Sequence, residues 1–269
     1  MKAIILAAGM GTRLRPITWS IPKCLVPVNS KPMLEHQLDA LLLAGIRDVV
    51  LVVGHLAELL CNKYGSSYGG MNIRYVENRI YDRTNNIYSL WLAREHLNSQ
   101  VLLLEGDLIF EPELLQRLIE TPEPDVAIVE RWEPHMDGTV ALPNAPWANG
   151  SRANAPWANG LWARRMVLKA DQGDDFDFAS ALKTVNIYKF SQEVLRDQIV
   201  PALDSYIAEK RYDQYYEAVF AGLIARDAMR LGLLHAAPNR WAEVDTWEDL
   251  QAAEKLFAKE ILATENARR

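Results

Sequence analysis

A short apolar strand, Ala3 to Leu6, runs directly into a loop of small residues, Ala7-Ala8-Gly9-Met10-Gly11-Thr12-Arg13-Leu14-Arg15-Pro16, and Pro22-Lys23 follows. No other feature of the 269 residues restricts the fold as tightly. Small residues after a buried strand let backbone N–H groups approach a ligand closely, and a glycine-rich turn of this kind cradles phosphates. Arg13 adds a planar charged fork for phosphate oxygens, and Lys23 adds a point charge. Neither of two common phosphate loops is present. No Gly-Lys-Ser/Thr closes the segment, and Gly9-x-Gly11 lacks the third glycine of the dinucleotide fingerprint.

The pattern after this loop is that of an α/β chain. Pro32 opens a helix carrying Met33, Leu34, Leu38, Leu41 and Leu42 on one face, with Gly45 past its end. Asp48–Val53, Asn72–Val76, Val101–Leu104 and Val126–Val129 read as strands, and helical spacing from Asn86 to Leu97 separates two of them. The alternation predicts a mostly parallel, Rossmann-like sheet with helices on both faces. After about residue 131 the pattern changes. Thr139–Leu142, Trp162–Leu168 and Thr184–Phe190 read as antiparallel strands. Helices are expected near 191–209 and 213–231, a short strand at Leu233–Ala236, and a final amphipathic helix from about Trp247. The chain is therefore expected to be a single domain, 1–269, with a core at 1–130 and a smaller C-terminal half, 131–269, closing over it.

Composition excludes several classes. An apolar fraction of 49% supplies a core, which rules out overall disorder. Acidic residues outnumber basic ones, 35 to 29, for a formal charge of −6, so nucleic acid is not expected as a partner. Two cysteines make no disulfide framework, and no apolar run reaches the roughly 18 residues of a membrane span. The N-terminal apolar run is too short for a signal peptide. A cytoplasmic protein without a membrane partner is expected. The segment Asn144-Ala-Pro-Trp-Ala-Asn-Gly150 recurs as Asn154 to Gly160. Two copies do not make a solenoid. The segment near 143–161 reads as an exposed loop expansion, with Trp147 and Trp157 as a lid the alternative.

The first loop, with Lys31-Pro32-Met33-Leu34, Ala44-Gly45-Ile46 and Val52-Val53-Gly54-His55, resembles the nucleotidyltransferases that make NDP-sugars and CDP-alcohols, and the resemblance extends over almost the whole chain. It implies a nucleotide-binding core at 1–130 and an acceptor-binding part at 131–269. It also implies a bound nucleoside triphosphate and Mg²⁺, with an acceptor phosphate attacking the α-phosphorus and pyrophosphate leaving. The expected nucleotide contacts are Leu6, Ala7, Ala8, Gly9, Gly11, Thr12, Arg13, Lys23, Asn85 and Gly106, with Asn78 as a reader of the base. Arg13, Lys23 and Asp107 are the expected catalytic residues.

Mg²⁺ prefers carboxylate oxygens, and two aspartates stand at strand ends. Asp107 follows Val101–Leu104, and Asp245 follows Glu243-Val244. Both match the family's metal-binding positions, with Glu105 and Glu243 as supporting groups. No His/Cys spacing suggests zinc. Asn85-Asn86-Ile87-Tyr88-Ser89-Leu90 resembles the branch that uses CTP, the phosphocholine and phosphonate cytidylyltransferases. The expected acceptor contacts are Asn86 and Tyr88, either Lys169 or its competitor Lys183, and the acidic-aromatic run Asp213, Tyr215, Tyr216 and Glu217. Asp213 and Glu217 are expected to share a helix face. Aromatic faces beside carboxylates suit a cationic head group. The reading is a CTP-dependent cytidylyltransferase for phosphocholine or a phosphonate such as 2-aminoethylphosphonate, with a sugar-1-phosphate nucleotidyltransferase using another NTP as the alternative. Homodimer formation is left open.

Overall fold

In the computed structural model, residues 1–145 and 160–266 are described, with side chains of the last helix as far as 258. The repeat segment with Trp147 and Trp157 lies outside the described residues. The strands are β1 (Lys2–Ala7), β2 (Asp48–Val53), β3 (Ser67–Tyr68), β4 (Met71–Glu77), β5 (Val101–Glu105), β6 (Leu108–Phe110), β7 (Val126–Arg131), β8 (Val140–Pro143), β9 (Ala163–Val167), β10 (Leu182–Phe190), β11 (Gly232–His235) and β12 (Trp241–Glu243). Ten of them form one mixed sheet in the order β9-β8-β10-β5-β1-β2-β4-β3, with β7 joined to β10 and β11.

The centre of that sheet, β5-β1-β2-β4, is parallel. Its strands are continuous apolar runs because both faces are covered. Successive side chains go to opposite faces. Ile4, Leu6, Val50, Val52 and Leu103 enter one core, and Ala3, Ile5, Ala7, Val49, Leu51, Leu102 and Leu104 enter the other. Helix α1 (Met33–Leu43) packs on the second face through Leu34, Leu38 and Leu41. Gly45, at φ +80°, lets the chain turn so that the Ile46 N–H closes on Leu41 O at 2.9 Å.

The C-terminal half is part of the same sheet. β10, buried at all nine positions, pairs antiparallel with β5 (Ile187 opposite Leu104) and with β7 (Thr184 opposite Val129). A separate two-stranded ribbon, β6 with β12, places Leu108 opposite Glu243. The expected helical stretch from Asn86 to Leu97 ends sooner. After α2 (Ala57–Tyr64), α3 covers Asn86–Leu92, and a 3₁₀ turn follows at Arg94–His96. The expected helix near 213–231 is α4 (Glu217–Ala225), so Asp213 and Tyr215 precede it. The final helix is α5 (Trp247–Asn266). Among the described residues no helix is long and apolar enough to cross a membrane.

Candidate active site

The carboxyl ends of β1, β2 and β5 lie side by side, with Ala7 opposite Val53 and Leu6 opposite Glu105. This is the edge where an open α/β sheet takes ligands. Leu6, Ala7 and Ala8 are buried beneath it, while Gly9 is exposed with open space around its Cα. Leu6 O accepts from the Gly106 N–H at 2.9 Å and Ala8 O from the His55 N–H at 3.1 Å, so β1 ends pinned to both neighbouring loops. A Cβ on Gly106 would lie 3.0 Å from Leu6 O. Gly11 adopts φ +58°, and a Cβ there would sit 3.0 Å from Lys23 Cβ. That glycine therefore serves both the left-handed turn and the approach of Lys23. Thr12 and Arg13 follow it, exposed, in a 3₁₀ turn.

Lys23 is the centre of the charged array. Its ammonium donates to Asp107 Oδ2 at 2.6 Å and to Asp245 Oδ1 at 2.5 Å. Arg13 reaches the same Asp245 oxygen at 2.8 Å. Burial alone would lower the Lys23 pKa, but the two aspartates outweigh it and hold it above its ordinary value. Burial would raise Asp245, and Lys23 and Arg13 more than offset that, so its carboxyl lies below the usual range. The two aspartate segments are tied to each other, since the Val244 N–H donates to Asp107 O at 3.0 Å. Asp107 Oδ1 is buried and has no hydrogen-bond partner.

Behind this pair lies a second layer of carboxylates. Glu105, Asp107 and Glu243 bring one oxygen each within 4.8 Å of one another. Glu105 ends β5 with Asp107 in the turn after it, Glu243 ends β12 with Asp245 in the loop after it, and the pairing of β12 with β6 sets the two segments side by side. Burial pushes Glu105 well above its ordinary pKa, with Asp107, Glu217 and Glu243 adding repulsion. Glu243 is raised by burial despite Lys183, whose ammonium lies 3.3 Å from Glu243 Oε2 and donates to Thr184 O at 2.6 Å. Glu217, 4% exposed at the start of α4, is pushed up to about 7 by burial. Its Oε2 has no hydrogen-bond partner. Asn86 ties Glu105 to the start of α4, donating to Glu105 Oε1 at 3.0 Å and accepting from the Tyr216 N–H at 2.8 Å.

The structure thus brings together Arg13, Lys23, Asn86, Asp107, Lys183, Glu217 and Asp245, and separates them from several other expected residues. Asn78, expected as the base reader, sits under the turn ahead of α3. It is 1% exposed and spends both amide protons on Thr84 Oγ1 and Ser89 Oγ, while its Oδ1 accepts from the Ile80 N–H. Its work is to hold the turn ahead of α3. Asn85 caps α3, its Oδ1 accepting from the Asn86 N–H at 2.8 Å. Lys169 stands exposed on a 3₁₀ turn, paired with Asp137 at 2.6 Å. Tyr88 stacks on Trp91 and meets Tyr212 edge-on. The acidic-aromatic run divides, because α4 begins only at Glu217. Asp213 and Tyr215 are exposed, whereas Tyr216 is buried in an aromatic cluster with Tyr188 and Phe220. Asp213 and Glu217 therefore do not share a helix face.

An all-oxygen donor set suits a hard cation such as Mg²⁺. The unpartnered Asp107 Oδ1 beside Glu105 and Glu243 fits such an ion. Glu105 and Glu243, expected as supporting groups, stand with Asp107 in that cluster. Their convergence on Asp107 was visible only as two Glu-x-Asp spacings.

Residues 3–170 match the family described as the MobA-like NTP transferase domain. The chain is 35% identical over 258 residues, 96% of its length, to a CMP-5′-(3-aminopropyl)phosphonate synthase from Streptomyces rubellomurinus, covering 39% of that protein. It is 45% identical over 114 residues, 41% of its length, to a choline-phosphate cytidylyltransferase from Streptococcus pneumoniae, covering 47% of that one. The chain therefore spans less than half of either curated relative. In three dimensions it is similar to a CTP:phosphocholine cytidylyltransferase from Streptococcus pneumoniae, with a TM-score of 0.69 at 24% identity, over 95% of this chain and 98% of the other. It also resembles a UDP-glucose pyrophosphorylase, with a TM-score of 0.74 at 17% identity, over 96% of this chain and 98% of the other. At these identities the structural likeness establishes the nucleotidyltransferase fold. With the family match covering more than half of its length, the chain belongs to the MobA-like NTP transferase family.

Proposed function

We propose that this chain transfers CMP from CTP to a small acceptor that carries a phosphonate or phosphate at one end and a primary ammonium at the other. The observation that carries the reading is Glu217, a buried carboxylate with one oxygen lacking any donor, beside the raised carboxyls of Glu105 and Glu243. Glu105 accepts from Asn86, and Glu243 lies 3.3 Å from the Lys183 ammonium, but among the described residues Glu217 has no ion-pair partner and its Oε2 no N–H donor. An alkylammonium supplies both, whereas a quaternary ammonium has no N–H to give and a sugar has no charge. The similarity to an aminopropylphosphonate synthase over nearly the whole chain supports the same choice of acceptor and of CTP.

In this reading an acceptor oxygen attacks the α-phosphorus, the bond to the bridging oxygen of the β-phosphate breaks, and pyrophosphate leaves with the electron pair. The backbone around Gly9 and Gly11 receives the triphosphate. Arg13 and Lys23 offset charge that builds on the α-phosphate oxygens. Lys23 stays an ammonium throughout, because its pKa is held up, and so it acts as a charge and not as a base. The acceptor is already anionic near neutral pH, so no side chain need remove a proton. Asp107 and Asp245, with Glu105 and Glu243 adjacent, would hold Mg²⁺, whose contribution is Lewis-acid neutralisation of phosphate charge. Lys183, buried and 3.3 Å from Glu243, is the cation suited to the acceptor's anionic end.

A pyrophosphate-release screen tests the assignment, crossing the four NTPs with 2-aminoethylphosphonate, 3-aminopropylphosphonate, phosphocholine and glucose 1-phosphate. The expected maximum of kcat/KM is CTP with an aminoalkylphosphonate. A maximum with phosphocholine would overturn the primary-ammonium argument, and one with the sugar phosphate would overturn the cytidylyltransferase reading.

A further inference from the structure

Helix α1 carries one buried polar residue in its apolar face. Gln37 is 1% exposed, beside Leu34, Leu38 and Leu41. A leucine or methionine there would bury more apolar surface at no polar cost. The glutamine instead places its amide nitrogen on two backbone carbonyls, donating to Glu105 O at 2.9 Å and to Leu108 O at 2.8 Å. Both neighbours are acceptors, so the orientation of the amide is dictated: only the nitrogen can face them. The amide oxygen is left buried without a partner, a cost that a merely space-filling residue would not carry.

Those two carbonyls bracket Asp107. Glu105 is the last residue of β5 and Leu108 the first of β6, so one side chain clamps the turn from both ends. Two further contacts extend the clamp. Asp107 O accepts from the Val244 N–H, which fixes the segment carrying Asp245. At the start of the same helix the Met33 N–H donates to Val26 O, and Val26 in turn closes the Lys23–Leu25 turn through its bond to Lys23 O. One helix thus holds the Lys23 turn at its first residue and the Asp107 turn one helical turn later.

We propose that Gln37 is a positioning residue that keeps Asp107, and through it Asp245, in register with Lys23. The inference rests on the reading of Asp107 and Asp245 as the metal carboxylates. Gln37→Met keeps the volume and removes both donors. Residues that orient ligating groups change metal affinity or activity by about 10–100-fold when removed. Direct Mn²⁺ binding to the metal-free protein, followed by electron paramagnetic resonance, should weaken by about tenfold or more in Gln37→Met, and kcat should fall by a similar factor. KM for CTP should stay within about threefold, because the phosphate loop does not touch Gln37. Leu41→Val, a packing change on the same helix, should lower the unfolding midpoint and leave Mn²⁺ affinity alone. Gln37→Glu, near-isosteric, gives the same readouts where the Met variant does not fold. A folded Gln37→Met or Gln37→Glu with wild-type Mn²⁺ affinity and wild-type kcat would overturn the inference. Wild-type protein that binds no Mn²⁺ would overturn the metal reading instead, and kcat of the variants would then decide the role of Gln37.

Discussion

Lys23 makes opposite demands on stability and on metal affinity, which allows a sharp test. Its ammonium lies 2.6 Å from Asp107 and 2.5 Å from Asp245, and the three side chains are 14%, 15% and 24% exposed. These are partly buried pairs, little screened by solvent. Lys23→Met keeps the chain length and leaves both carboxylates without their shared cation. Breaking a buried pair from one side costs about 3–5 kcal/mol. Arg13 remains on Asp245, so the lower end, about 3 kcal/mol, is expected. For a chain of this size that lowers Tm by roughly 6–12 °C in EDTA. Added Mg²⁺ should then restore more stability to the variant than to wild type, since the ion no longer competes with an ammonium for the same oxygens. Catalysis should not recover. The loss of one preorganised charged donor lowers kcat on the order of a hundredfold. Because the folded pKa of Lys23 is raised, its stabilisation is complete below the unfolded value of 10.5 and is lost only as pH rises through the higher folded value. The Tm difference should therefore be flat from pH 6 to 9. The measurement is thermal unfolding with EDTA and with a Mg²⁺ series, paired with steady-state kinetics. An EDTA Tm within a degree of wild type, or a smaller Mg²⁺ response in the variant, would refute the reasoning.

Three further outcomes follow from named contacts. Glu217→Gln should stabilise the ligand-free protein at pH 8, on the order of 2–3 kcal/mol, and do nothing at pH 4. A carboxyl raised from 4.5 to about 7 carries a folding penalty that accumulates between those values and is constant above them. Chemical denaturation at the two pH values checks it, and the same variant should lose kcat/KM for aminoethylphosphonate far more than for phosphocholine. Gly11→Ala should lower kcat at least tenfold and cost about 1–2 kcal/mol, because a Cβ at φ +58° is strained and presses on Lys23 Cβ; a fully active variant would mean that the loop does not set Lys23. Substitution of His36, His55 or His96 should leave kcat within about threefold of wild type. A loss matching that of Lys23→Met would mean that a histidine handles a proton in the reaction.

The candidate site was partly legible before any coordinates. Leu6 to Arg13, Lys23, Asp107 and Asp245 stand out in the sequence because the pattern is local: small residues after an apolar strand, charges just beyond them, and carboxylates at the ends of apolar strands. The structure gathers Arg13, Lys23, Asp107 and Asp245 into one array. The central parallel strands were equally plain, since burial on both faces leaves continuous apolar runs. Other features depended on partners distant in the chain. Asn78 and Asn86 are both asparagines next to α3, but only the packing sends one to Thr84 and Ser89 and the other between Glu105 and Tyr216. Lys169 and Lys183 were indistinguishable as lysines near strands, until the turn at Lys169–Asp171 exposed the first and β10 buried the second beside Glu243. The late start of α4 divided a run that periodicity had read as one face, leaving Asp213 and Tyr215 exposed and Glu217 inside. Gln37 carries no sequence signal at all beyond a polar letter in an apolar stripe. Residue order by itself determined the fold class and the small-residue loop after β1, because strand burial and backbone access are local requirements. Only the tertiary structure decided which carboxylates and cations share the interior, because charge pairing in a buried site depends on distances between segments 60 to 222 residues apart in the chain.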